Sequence, residues 1–158
     1  MLSFNWIHPS CGRCLLLRIF LTALLCYKSS EAHTYSWPLP TGFNEGDMAT
    51  VKGSLPVGGS IFSINFMGGP EMLKSDIIFH MDNRYASDQI VINTKDIDAN
   101  WLNEEIYKDS GALVGGRHFT VIIVLKGDQF MITTNGRHFI TFKVRKSNSY
   151  IKYLYITG

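Results

Sequence analysis

The 158 residues carry 15 basic and 13 acidic side chains, for a formal charge of +2, with 46% hydrophobic and 13% aromatic content. Such a composition suits a globular chain with one sizeable core and excludes a disordered or strongly charged tail protein. With Arg13, Arg18, Lys28 and Glu31 set aside in an N-terminal segment, twelve basic residues face twelve acidic ones. The body therefore has no field to attract nucleic acid.

In the N-terminal segment, Arg13 precedes an apolar stretch from Leu15 to Leu25 that Arg18 interrupts, and Ser30 and Ala32 offer small residues to a signal peptidase. The expectation is a secretory leader over residues 1–32, cleaved after Ala32, with the mature chain outside the cell. The alternative is an N-terminal extension without a targeting role, on a cytoplasmic chain. The stretch is too short to span a bilayer, so no membrane span is expected in the mature chain. Cys11, Cys14 and Cys26 are the only cysteines, which excludes a disulfide framework from everything that follows. Cys11-Gly-Arg-Cys14 has redox or metal spacing, but no second pair or His cluster completes it. No metal and no cofactor are expected.

From Trp37 onward the punctuation is that of an all-β protein. Pro38, Pro40, Gly42 and Gly46 open it, and Met48 to Lys52 reads as a strand. Ile61 to Met67 alternates, with Phe62, Ile64 and Phe66 on one face and Ser63 and Asn65 on the other. Asp76 to Met81 and Gln89 to Asn93 read as further strands, the latter with Ile90 and Ile92 inward and Gln89 and Asn93 toward solvent. Phe119 to Leu125, Phe130 to Thr134 and His138 to Val144 form a meander. Its second turn, Asn135-Gly136, suits a type I′ hairpin, which needs two positive φ angles. Tyr150 to Ile156 is the last strand. No segment sustains a helical period. The predicted architecture is an all-β, two-sheet antiparallel sandwich.

One file of polar residues stands out. His80, Asp82 and Arg84 occupy alternate positions and share a sheet face, while Ile77, Phe79 and Met81 point to the core. Asn93, Trp101 and Glu104 follow. Three polar side chains in a row with a Trp nearby make a surface for something polar with one flat apolar side, which describes a sugar.

The residues carrying that file match a known pattern. His80-Met81-Asp82-Asn83-Arg84, Val91-Ile92-Asn93 and Trp101-Leu102-Asn103-Glu104 resemble the galectin signature, H-x-N-x-R, V-x-N and W-x-x-E-x-R. Val51-Lys52-Gly53, Phe62-Ser63-Ile64-Asn65-Phe66 and Asn135-Gly136-Arg137-His138-Phe139 are similar too, so the likeness runs over residues 38–158, the expected carbohydrate-recognition domain with a jelly-roll fold. The resemblance implies a non-enzymatic lectin for β-galactoside-containing glycans of glycoproteins or glycolipids. Trp101 would lie against the apolar face of galactose. His80 and Arg84 would take its axial 4-hydroxyl, and Asn93 and Glu104 the 6-hydroxyl and the next sugar. Asp82 completes the implied carbohydrate-binding set.

Three departures qualify the resemblance. Asp82 stands where the family has Asn, and an ionised carboxylate only accepts hydrogen bonds; it can also draw Arg84 into an ion pair. Ile106 replaces the final Arg of the signature, which in the family steadies the glutamate. The segment ending at Gly158 continues in the family into one more strand, so a sheet edge is expected to lack its usual partner, and a homodimer is one way to cover it. These departures motivate an alternative, a galectin-fold protein that has lost sugar binding and works through protein–protein contact. Asp82 with Glu104 reads poorly as a glycosidase pair, because both should lie on an open face beside Arg84. His118 and His138 are expected to be strand residues without a catalytic role, and the basic cluster Lys143, Arg145 and Lys146 a solvated strand end.

Overall fold

A computed structural model of the chain describes residues 3–7, 34–58, 61–98, 100–109 and 113–158. Eleven strands are present among them: β1 (Ser3–Ile7), β2 (Thr34–Pro38), β3 (Met48–Ser54), β4 (Phe62–Met67), β5 (Ile77–Arg84), β6 (Gln89–Lys95), β7 (Glu105–Lys108), β8 (His118–Lys126), β9 (Gln129–Thr134), β10 (Arg137–Lys143) and β11 (Tyr153–Thr157). Only three short 3₁₀ turns interrupt them. They form two antiparallel sheets, β1-β3-β8-β9-β10 and β2-β11-β4-β5-β6-β7, so the expected sandwich is the observed fold. The apolar stretch Leu15–Leu25, the three cysteines and Ala32 lie outside the described residues.

Alternation explains how the sheets face each other. In β8, Phe119, Val121, Ile123 and Leu125 are buried while His118 and Lys126 are exposed. In β5, Phe79 and Met81 turn inward, and His80, Asp82 and Arg84 lie on the opposite face. The core between the sheets is mostly aliphatic, with a cluster of packed phenylalanines inside it. Phe66 and Phe79 from one sheet meet Phe130 from the other with ring centroids 5.9 and 4.9 Å apart, and Phe142 closes on Phe79 at 6.0 Å. Each such fully buried ring contributes roughly 1.5–3 kcal/mol relative to exposure. The Asn135-Gly136 turn has φ values of 50° and 78°, as a type I′ hairpin requires.

Three strands were not anticipated: β1 in the N-terminal segment, and β2 and β7, both short and both at the edges of the six-stranded sheet. The five-stranded sheet also differs from expectation at one edge. The outer side of β3 is paired, with Ser3 opposite Lys52 through Ile7 opposite Met48. An N-terminal segment thus supplies a ladder partner there.

Candidate carbohydrate-binding site

The register of the six-stranded sheet assembles the site. β5 pairs with β4 so that His80 lies opposite Asn65 and Asp82 opposite Ser63. On its other side His80 faces Asn93 and Asp82 faces Val91 in β6, and Val91 in turn faces Ile106 in β7. The loop between β6 and β7 folds back, with Trp101 bridging to Lys95 and the Leu102 N–H donating to the Thr94 carbonyl at 3.0 Å. That fold brings Trp101 over His80, ring centroids 4.5 Å apart and tilted by 47°. Trp101 remains 41% exposed, so the indole is a plate packed against the sheet and open to solvent.

His80 is 9% exposed, and its Nδ1 lies 2.6 Å from Asn65 Oδ1. Asn65 directs its amide Nδ2 to Ser63 Oγ and the Tyr155 carbonyl, which leaves Oδ1 as an acceptor. Nδ1 therefore carries the proton in this arrangement, and the neutral ring offers Nε2 as an acceptor. Burial, assisted by the Arg84 charge and opposed by Glu104, pushes the His80 pKa down to about 4.

Arg84 is the hub of the charged part. Its Nη2 and Nη1 donate to the two Glu104 oxygens at 2.7 and 3.3 Å, and its Nε donates to Asp82 Oδ2 at 3.3 Å. The bidentate Glu104 pair holds the guanidinium plane fixed and raises its pKa. A guanidinium has five N–H groups; one on each terminal nitrogen is left for a ligand. Burial raises the Asp82 pKa, against the lowering pull of Arg84. Glu104 is thus steadied by Arg84, although Ile106, 53% exposed, can give it nothing.

The structure corrects two expectations. Asn93 does not face solvent: it is 1% exposed, and its Nδ2 donates to the Leu102 carbonyl at 2.9 Å while Oδ1 accepts from the Thr94 N–H at 2.8 Å. The returning loop covers it, so here Asn93 anchors the Trp101 loop. Of the basic cluster, Lys143 is a solvated strand end, its side chain 75% exposed, but Arg145 and Lys146 are not. Lys146 bridges Asp76 and Asp96 at 2.6 Å each. Arg145 reaches Asn93, the Asn103 carbonyl and Glu105. It borders, with Trp101, Leu102 and Asn103, an open hollow of about 470 Å³. His80, Asp82, Arg84, Trp101 and Glu104 do come together on one face. Among the described residues no cluster of metal-ligating side chains occurs, and no helix is long and apolar enough to cross a membrane.

A sandwich of this topology, carrying an exposed indole beside a neutral histidine and a clamped arginine, has the make-up of a sugar-binding lectin. Comparison with known proteins agrees: the family model described as galactoside-binding lectin matches residues 34–158, and the chain belongs to that family. It is similar to galectin-3 of Cricetulus longicaudatus, 28% identical over 117 residues that cover 72% of this chain and 45% of that protein. Galectin-4 of Rattus norvegicus is 26% identical over 125 residues, covering 78% and 38%. Galectin-12 of Homo sapiens is 26% identical over 120 residues, covering 74% and 35%. The chain spans less than half the length of these relatives. Among solved structures, a two-substitution variant of human galectin-16 superposes with a TM-score of 0.68 at 23% identity, covering 77% of this chain and 85% of that one. Members of the family are lectins and not enzymes.

Proposed function

We propose that the chain binds glycans ending in β-galactose, with the sugar's apolar face on Trp101 and its 4-hydroxyl between His80 and Arg84. One observation carries this reading: His80 offers a lone acceptor, Nε2, and Arg84 keeps two free N–H donors on the same sheet face. A hydroxyl is donor and acceptor at once, so this pair satisfies it in both senses. The epimeric, equatorial hydroxyl of glucose would leave buried polar groups unpaired, a costly mismatch. Asp82 adds an acceptor for a second hydroxyl.

Affinity for simple disaccharides is modest on this reading. Ile106 provides no charged hydrogen bond toward the second sugar, a loss on the order of 1.5–3 kcal/mol, or about ten- to a hundred-fold. Specificity comes from the Trp101, His80 and Arg84 constellation and resides in the terminal sugar. Lactose and cellobiose differ only in the configuration at that sugar's 4-hydroxyl, so they give a clean test. Protein retained on immobilised lactose should be released by free lactose and not by equal cellobiose. Equal release by both sugars contradicts the proposal.

A further inference from the structure

Arg145 belongs to the loop leaving β10, on the opposite sheet from the sugar-facing strands, yet its guanidinium ends under the Trp101 loop. Nη1 donates to the Asn103 carbonyl at 2.5 Å and to Asn93 Oδ1 at 3.3 Å, and Nη2 donates to Glu105 Oε1 at 2.5 Å. The guanidinium carbon stands 4.8 Å from the centroid of Phe142, a fully buried core ring. The Arg145 side chain is 22% exposed. We propose that Arg145 is a positioning residue for the carbohydrate site: it sets the Trp101–Glu104 loop against the sheet from below, without touching sugar.

The argument is one of successive ties. From 102 to 105 every residue of the loop is held by a different contact. The Leu102 carbonyl accepts from Asn93, the Asn103 carbonyl from Arg145, Glu104 from Arg84, and Glu105 from Arg145. Arg145 makes two of these directly. It supports a third, because Asn93 Oδ1 accepts from it and Asn93 Nδ2 then points to Leu102. Without the guanidinium, Trp101, which stacks on the sugar in the proposed reading, and Glu104, which clamps Arg84, lose the support between and beyond them. A planar fork reaches three acceptors in different directions, and it can rest on an aromatic ring at the same time. A lysine ammonium is a single nitrogen at the end of a flexible stem and cannot span them. The proposal rests on the sugar reading for its consequence, but the loop's order can be read without any sugar.

The test uses the full chain with Arg145→Met and Arg145→Lys. Amide hydrogen exchange over residues 101–105 should accelerate about ten-fold in Arg145→Met, with the Leu102 N–H as the marker, while β8 and β9 keep their protection. Lactose affinity should fall about ten-fold or more, and Arg145→Lys should recover less than half of either effect. Unchanged exchange at 101–105 in Arg145→Met overturns the proposal, as does wild-type affinity alongside faster exchange, or full rescue by lysine. If Arg145→Met does not fold, Glu105→Ala removes one tie, since no acceptor is left for Nη2, and should accelerate exchange over the same residues to a smaller extent; no change there also overturns it. Should the wild type bind no lactose, the sugar reading fails by itself and the exchange arm still decides the role of Arg145.

Discussion

His80 donates its Nδ1–H to Asn65 Oδ1 across the β4–β5 ladder, at 2.6 Å. This bond fixes which nitrogen of the ring is left for a ligand, and burial under Trp101 keeps the ring neutral. The first prediction follows from the His80 pKa of about 4, below its ordinary 6.5. A neutral ring in the fold and a protonatable one in the unfolded chain mean that stability is fully present above pH 6.5. It is lost as the pH falls toward 4, by about 3 kcal/mol in total. Sugar affinity, which needs the neutral ring, should stay flat from pH 8 down to 5.5. A titration series across that range checks it; an affinity that drops with a midpoint near 6.5 contradicts the buried, neutral His80.

Asp82 holds Arg84 Nε and sits where burial disfavours its charge. Asp82→Asn keeps an acceptor for Nε, adds a donor on the sugar-facing side and removes a partly buried charge. Because the folded pKa lies above the unfolded one, the ionised group costs stability at neutral pH, so the variant should melt slightly higher at pH 7. It should bind lactose about five-fold tighter, one added hydrogen bond being worth roughly 1 kcal/mol. Paired calorimetric titrations of the two proteins check the sign, and weaker binding by the variant contradicts it.

Asn83 lies on the inward face of β5, between Phe62 and Ile90 in the ladder, and is 1% exposed. Among the described residues neither its Nδ2 nor its Oδ1 has a hydrogen-bond partner. A buried amide in that state costs about 1–3 kcal/mol. Asn83→Val, which suits a strand interior, should therefore stabilise the fold by about 1 kcal/mol or more and leave sugar binding unchanged. Urea unfolding monitored by circular dichroism gives the value; a destabilised variant means the amide has a use in the fold.

Pairing of β1 with β3 makes the N-terminal residues part of a ladder. Cleavage after Ala32, as a leader would require, takes β1 away and bares the edge of β3, and an open edge invites pairing with another chain. A chain beginning at residue 33 should accordingly self-associate with rising concentration, or melt several degrees lower, relative to the full chain. Sedimentation and thermal unfolding of both forms check this. Identical monomers of identical stability would show that β1 contributes nothing.

Much of the fold was legible because alternation is a local signal. Phe62, Ile64 and Phe66 against Ser63 and Asn65, and Phe79 and Met81 against His80 and Asp82, declare their faces within a few residues. Asn135-Gly136 declares its turn through two positive φ angles. The site was legible as far as it lies along β5. What escaped depended on contacts across long separations. Asn93 has an outward position in its strand, and only the loop returning eight to eleven residues later buries it. Arg145 stands 42 residues beyond the Asn103 carbonyl it holds, and no spacing pattern in a Lys-Val-Arg-Lys run marks one charge as structural. Asn65 as the partner of His80 follows only from the β4–β5 register. β2 and β7 are short edge strands: Thr34–Pro38 alternates, with Tyr35 and Trp37 half-buried on one face, but over only five residues that end in a proline, and Glu105–Lys108 offers only four residues.

The central claim is that Trp101, His80 and Arg84 form one receptor for a terminal galactose. Calorimetric titration of the full chain with lactose, run beside Trp101→Ala and beside cellobiose, tests it most directly. The account predicts saturable one-to-one binding of lactose by the wild type, none detectable by Trp101→Ala at the same concentrations with the fold intact, and none with cellobiose. Lactose heats that do not saturate, or that survive loss of the indole unchanged, would contradict it.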